Sequence, residues 1–340
     1  MVLQDIAVYF RGNRQSSQPP DVPDCEKFHW LTYTMQYDWF VIINPVSGGK
    51  AASKRWHKIK PLFDAAPFNY EVIFTEYRDH AALIAKNAVQ QGFRRFVILG
   101  GDGTANDVIN GLCQSGISTE MFTVAMIPAG TGNDWVRTIG KPDFAMIVED
   151  LIRHETMKHD IANVTYVNAG KEAMRYFINM AGLGFEGAVA KKIYERSSKW
   201  QGGKMQYQLA ILSTLFVYKH TQLEIKVDGN SSEMQFLSAA IGSGKFNGGG
   251  MKQLPAAIFN DGILDLTVIA TMSKMKMVIS LPKLKTGAHI GMQEVQTFKG
   301  KIIEMNSNPP VHMDADGEYL GQTPLRFQVA SEQINVIKWR

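Results

Sequence analysis

Cysteine is nearly absent: only Cys25 and Cys113 occur among 340 residues, and no CxxC pair is formed. A disulfide framework is thereby excluded, and a reducing, cytoplasmic compartment is the expectation. Long apolar runs are missing too. The most apolar internal stretch, Tyr207 to Tyr218 (YQLAILSTLFVY), has 12 residues and includes Gln, Ser and Thr, against the ~20 that span a bilayer. Any membrane contact is expected to be peripheral. The N-terminus shows no basic start followed by an apolar run and a small-residue cleavage site, so no signal peptide is expected. The eight His residues have no HxxxH spacing, which speaks against zinc. Charge of one sign is also scarce: 36 Lys plus Arg against 32 Asp plus Glu leave +4. That excess suits an anionic partner such as a nucleotide or an acidic membrane surface, but does not argue for nucleic acid.

What is present is an ordinary globular composition, 45% hydrophobic and 20% charged. The length predicts two domains. Residues 1–34 carry Pro19-Pro20, Pro23 and polar residues without a sustained period, and read as a poorly ordered extension. A native start at Met35, four residues before the first strand, is an alternative. From Trp39, strand, loop and helix alternate four times: WFVIIN, YEVIFTE, FVILGG and FTVAMIP each lead into a helical stretch. Short continuous apolar strands between helices predict βαβ units and a doubly wound parallel sheet over residues 35–156. Beyond about Thr156 the pattern becomes strand after strand with turn signals such as Asp228-Gly229-Asn230. Residues 157–331 are therefore expected to form a mainly antiparallel β-domain, with helices only near 203–219 and 274–291. The final QINVIKW, within 332–340, reads as a strand that could return to the first domain. No repeat of fixed period is visible.

Three first-domain strands run straight into small polar loops: Asn44-Pro45-Val46-Ser47-Gly48-Gly49, Gly100-Gly101-Asp102-Gly103-Thr104, and Pro128-Ala129-Gly130-Thr131-Gly132-Asn133-Asp134. Glycine lets backbone amides approach an anion, and the helix that follows adds free N–H groups and a positive dipole end. One such loop reads as a tight turn; three at one sheet edge read as a shared polyphosphate site. Common phosphate fingerprints fail here. Gly101 to Asn106 lacks the third glycine of GxGxxG, and Gly242-Ser243-Gly244-Lys245 has Ala239 and Phe246 where a Walker A loop needs Gly and Ser or Thr.

The ordered set INPVSGG, GGDGTANDVINGL and IPAGTGNDWVR resembles the diacylglycerol-kinase catalytic domain shared by diacylglycerol, sphingosine and ceramide kinases. The downstream sequence looks most like the bacterial soluble lipid kinases of that superfamily. The likeness covers about Tyr37 to Arg340. It implies an α/β nucleotide domain, a β-sandwich domain and an active site in the cleft between them. It further implies that Asn44, Ser47, Gly48 and Gly49 contact ATP, that Thr75 lines the nucleotide site, that Gly101, Asp102, Gly103, Thr104 and Asn106 hold phosphates, and that Thr131 completes the pocket. Asp107 stands where the family usually carries Glu, a departure expected to matter little.

A carboxylate beside a triphosphate is repulsive unless a divalent cation lies between them, so Asp102 reads as the anchor of Mg²⁺–ATP through water; the plainer reading is a turn-filling Asp. The resemblance places Asp316 and Glu318, in HMDADGEYLG, across the cleft, where one of them would accept the proton of the acceptor hydroxyl. Taken alone, Asp316-Gly317 is a hairpin turn. Asn260-Asp261-Gly262 is likewise a turn signal. In the resembled kinases the matching stretch binds a second, structural Mg²⁺, which implies Asp261 with the carbonyls of Ile258 and Ile263.

The acceptor side is less legible. Lys204 to His220 has an apolar stripe flanked by lysines, as an interfacial helix or a helix packed on the sandwich would. Lys191, Lys192, Arg196 and Lys199 could face anionic headgroups or simply water. The expectation is an ATP- and Mg²⁺-dependent lipid kinase, peripheral at the inner membrane face, with a homodimer left open. A soluble-metabolite kinase of the NAD kinase type and a catalytically silent nucleotide-binding module are the alternatives.

Overall fold

The computed structural model describes residues 39–196, 210, 211, 213, 214 and 218–340. The extension at 1–34, Lys199 and most of the 204–220 stretch lie outside the described residues.

Four strands, β1 (Trp39–Ile43), β2 (Tyr70–Phe74), β3 (Arg95–Gly100) and β4 (Thr123–Pro128), form a parallel sheet in the order β2-β1-β3-β4. The period of two sorts their side chains. Phe40, Ile42, Phe96, Ile98, Val124 and Met126 pack on one face with α2 (His80–Gln90) and α3 (Asp102–Cys113). Trp39, Val41, Ile43, Val97, Leu99 and Ala125 pack on the other with α1 (Ser47–Asp64) and α5 (Ile147–Arg153). Both faces being covered explains the unbroken apolar runs. Strand order reverses between β1 and β3, so their carboxyl ends open a crevice there. The short α4 (Asp134–Ile139) follows β4.

The remaining strands are β5 (Thr156–Asn168), β6 (Lys171–Phe177), β7 (Met180–Gly184), β8 (Thr221–Val227), β9 (Asn230–Gly242), β10 (Leu264–Ala270), β11 (Val295–Gly300), β12 (Ile302–Asn308), β13 (His312–Ala315) and β14 (Glu318–Ile337). They build an antiparallel sandwich whose layers share the long strands β9 and β14. Phe177, Phe236, Ile241, Leu266 and Phe327 fill its interior. Helices α6 (Phe185–Arg196) and α7 (Lys274–Thr286) lie against it.

Continuous strands join the two parts. β14 leaves the sandwich, stays paired with β5 as far as Ile337↔Thr156, and adds to the first sheet in parallel with β4 at Asn335↔Thr123 and Val336↔Val124. Among the described residues no helix is long and apolar enough to cross a membrane.

Candidate functional site

The three glycine loops meet through contacts that exclude side chains. A Cβ on Gly48, whose φ is +58°, would stand 2.0 Å from the Ala129 carbonyl oxygen, and one on Gly130 would stand 2.5 Å from Gly101 Cα. The Gly100 carbonyl accepts the amides of Ala129 and Gly130 at 2.6 and 3.1 Å, while Asn44 Nδ2 donates to Thr104 Oγ1 at 3.0 Å. Glycine here is what allows three loops to share one edge. The first-turn amides of α3 open onto that edge without intrahelical acceptors, a ready anion site.

A cleft of about 550 Å³ lies over these loops. Of the sequence-derived candidates, Asn44, Ser47, Gly48, Thr75, Gly101, Asp102, Gly103, Thr104, Thr131, Asp316 and Glu318 line it. Gly49 and Asn106 do not. Asn106 is fully buried behind the cleft, where its Nδ2 donates to Tyr176 O at 3.0 Å and Asp316 Oδ2 at 2.8 Å, so its side chain ties two parts of the fold together.

Asp316-Gly317 is indeed a two-residue hairpin turn between β13 and β14, with φ of +49° and +82°. That same turn delivers Asp316 to the cleft, so being a turn does not bar it from the site. Its carboxylate accepts the amides of Ile178, Asn179 and Met180 at 2.9–3.0 Å besides Asn106. Burial pushes the Asp316 carboxyl up, opposed by these donors. With two donors on each oxygen, it has no lone pair left over. Glu318 lines the cleft from β14; its carboxylate pairs with Arg78, and its Oε1 stands 3.0 Å from a Cβ built on Gly103.

Sequence reasoning passed over Arg78, Asp79 and the tie made by Asp107. Arg78 comes from the loop after β2, pairs with Glu318 and covers the Tyr194 ring at 4.9 Å. Asp107 pairs with Arg175 at 2.6 Å; burial, only partly offset by that arginine, pushes its carboxyl up to about 6. A single Arg in TEYRDH carries no pattern, and the Asp107–Arg175 pair spans 68 positions, so only the fold reveals either.

Among the described residues the cleft is lined by five carboxylates, Asp79, Asp102, Asp107, Asp316 and Glu318, against one cation, Arg78. Asp102 Oδ1 accepts the Trp135 amide at 3.1 Å, and Oδ2 stands 3.0 Å from a Cβ built on Gly132. That built Cβ is 3.1 Å from Asp134 Oδ2, which accepts the Gly249 amide at 2.7 Å. Asp134 Oδ1 is buried without a hydrogen-bond partner among the described residues and lies 3.4 Å from Arg137 Nε. Hard carboxylate oxygens with unused capacity fit a divalent cation that completes its shell with phosphate and water. Among the described residues no three His, Cys, Asp or Glu converge as a full ligand set, so these residues alone would not hold a metal.

The other expected cation site is separate from this cleft. Asp261 is exposed and its Oδ1 accepts the Ile263 amide at 3.1 Å. Asp160 braces the turn, donating its amide to Phe259 O and accepting the Gly262 amide, each at 2.8 Å. Gly242 to Gly244 lie against Ile178 and Asn179: Ser243 Oγ donates to Ile178 O at 3.2 Å and Gly244 N to Asn179 O at 2.9 Å, which makes the segment a packing joint.

A doubly wound sheet with three glycine loops at one edge, faced by carboxylates of a β-sandwich, is the two-part architecture that the comparisons match to kinases. Residues 38–164 match the diacylglycerol kinase catalytic domain, and residues 179–338 match the YegS C-terminal NAD kinase beta sandwich-like domain. The chain belongs to the bacterial soluble diacylglycerol-kinase-like family. It is 28% identical over 301 residues to a diacylglycerol kinase of Staphylococcus carnosus, covering 87% of this chain and 93% of that protein. It is 27% identical over 300 residues to a diacylglycerol kinase of Bacillus subtilis, covering 87% and 95%. The fold matches a crystal structure of a diacylglycerol kinase from Bacillus anthracis with a TM-score of 0.65 at 22% identity, over 89% of this chain and 97% of that one. Yeast NADH kinase in complex with NADH shares the fold more distantly, with a TM-score of 0.52 at 12% identity over 89% and 83%.

Proposed function

We propose that the protein transfers the γ-phosphate of ATP to a hydroxyl of diacylglycerol or a closely related lipid. The observation that carries this reading is the cleft itself, which sets the α3 N-terminus and the glycine loops opposite Asp316 and Glu318. The diacylglycerol kinase relatives, which the chain covers nearly end to end, support a lipid acceptor over NAD.

The glycine loops and the α3 amides receive the phosphates, and Thr131 closes the pocket. Asp102, with Asp134 beside it, would hold Mg²⁺ together with the phosphates, and the ion would supply charge neutralisation there. Glu318 faces the acceptor and accepts its hydroxyl proton. Asp316, its oxygens already filled, fixes the hairpin that aims Glu318. Arg78 restrains the Glu318 carboxylate. A second Mg²⁺ at Asp261, with the carbonyls of Ile258 and Ile263, would stiffen the sandwich and take no part in the transfer.

The test is incubation of the full chain with γ-labelled ATP and either diacylglycerol in mixed micelles or NAD, with the product identified by mass. Label on the lipid supports the reading. Label on NAD with none on any lipid of a fractionated extract overturns it.

A further inference from the structure

None of the thirteen residues of α7 is buried. Successive residues of a helix turn by about 100°, which sorts this one into three zones. Met277, Ser280 and Leu284 are partly covered and form the inward face, where Met277 packs with Phe185, Val189 and Leu237. On the opposite side stand Met275, Val278 and Ile279, 71%, 46% and 67% exposed, with exposed Pro282 among them. Lys274 and Lys285 edge one side of this outward stripe, Lys276 and Lys283 the other, and the helix holds no acid. Lys276 is paired with Glu294, on which Lys283 also acts electrostatically. A helix that only covered the sandwich would turn polar residues outward. An outward apolar stripe edged by lysines is the arrangement of a helix lying in an interface, its ammonium groups snorkelling to the headgroups.

A short set of contacts links this helix to the cleft. The Lys252 amide donates to Leu284 O at 2.7 Å, and a Cβ built on Gly250, two residues earlier, stands 3.3 Å from Arg137 Cζ. Arg137 belongs to α4, which directly follows the Gly130–Gly132 loop lining the cleft.

We infer that the outward face of α7 is a docking surface for a bilayer containing anionic lipid. A second copy would bring the same four lysines against these four, which is repulsive. An anionic bilayer gains about 1 kcal/mol per lysine near its surface and takes up the apolar stripe as well. The purpose of docking rests on the lipid-acceptor reading, while the docking itself is measured without nucleotide or diacylglycerol.

The experiment is flotation of the full chain with vesicles of phosphatidylcholine, alone or with added phosphatidylglycerol, beside Met275→Ser/Ile279→Ser and Lys283→Gln/Lys285→Gln. The native chain is expected to float with the anionic vesicles, and each double variant to bind on the order of tenfold less. Equal binding by the variants, or no preference for phosphatidylglycerol, overturns the inference. Sedimentation in the absence of lipid guards the alternative: a dimer that the serine variant breaks would assign the face to a second copy. Val278→Trp in the otherwise native chain gives a second reading that does not depend on the folding of the double variants. Quenching of its added emission by brominated lipid supports docking, and unchanged emission with vesicles overturns it.

Discussion

Asn106 Nδ2 donates to Asp316 Oδ2 at 2.8 Å across 210 positions of sequence, joining the cleft-lining helix α3 to the β13–β14 hairpin on the other side of the cleft. Together with the amides of residues 178–180, this bond brings four donors onto the two Asp316 carboxylate oxygens and anchors the sandwich edge.

Asp316→Asn and Glu318→Gln should therefore fail in different ways. An amide at 316 sets an NH₂ against N–H donors in a buried site, so the free energy of unfolding should fall by about 1–3 kcal/mol or more. Glu318→Gln should leave melting nearly unchanged and cut kcat by about 10²–10⁴-fold. Thermal melts and turnover of both variants check this; a stable but inactive Asp316→Asn would move the base to Asp316.

The glycine contacts separate close approach from conformation. Gly48→Ala and Gly130→Ala force a Cβ into backbone at 2.0 and 2.5 Å, whereas Gly49→Ala, at φ +66°, meets nothing within 4 Å. Gly49→Ala should cost about 1–2 kcal/mol from its left-handed backbone alone. The other two should cost more and weaken ATP binding, as calorimetric titration beside melting curves would report.

These loops were legible because only glycine satisfies such backbones, and three of them fell at strand ends. The parallel strands were legible because burial on both faces leaves a continuous apolar run. Arg78, the Asp107–Arg175 pair and the inward role of Asn106 were not, since each depends on partners brought close only by the fold. The 274–291 stretch was legible as helical; its chain ends as α7 at Thr286, with Gly287 left-handed at φ +82°. Which side of it met solvent required the structure.

Stability should fall as pH rises toward 7, with Glu186 a named contributor. Burial pushes its carboxyl up to about 7, opposed by Asn247 and Gln253, and Asp314 beside it is also raised by burial and by Glu186 itself. Between its unfolded value, ~4.3, and the folded value the native state holds a proton that the unfolded chain releases. Stabilisation is full below this window and is lost across it. Glu186→Gln should flatten that decline, raising the melting temperature at pH 8 while changing little near pH 4. A parallel decline in both proteins would contradict the assignment.

Removal of divalent cations should abolish turnover, and added Mg²⁺ should restore it. Asp102→Asn should raise the Mg²⁺ concentration needed for half-maximal rate, a titration that separates loss of metal from loss of fold. An unchanged requirement would return Asp102 to a turn-filling role capped on Trp135.

Transfer of γ-label to diacylglycerol by the native chain and by Glu318→Gln, measured side by side with ATP binding, tests the central claim most directly. The account predicts labelled lipid from the native chain and about 10²–10⁴-fold less from the variant, with ATP bound equally by both. Near-native transfer by Glu318→Gln, or no labelled lipid from the native chain under any divalent cation, would contradict it.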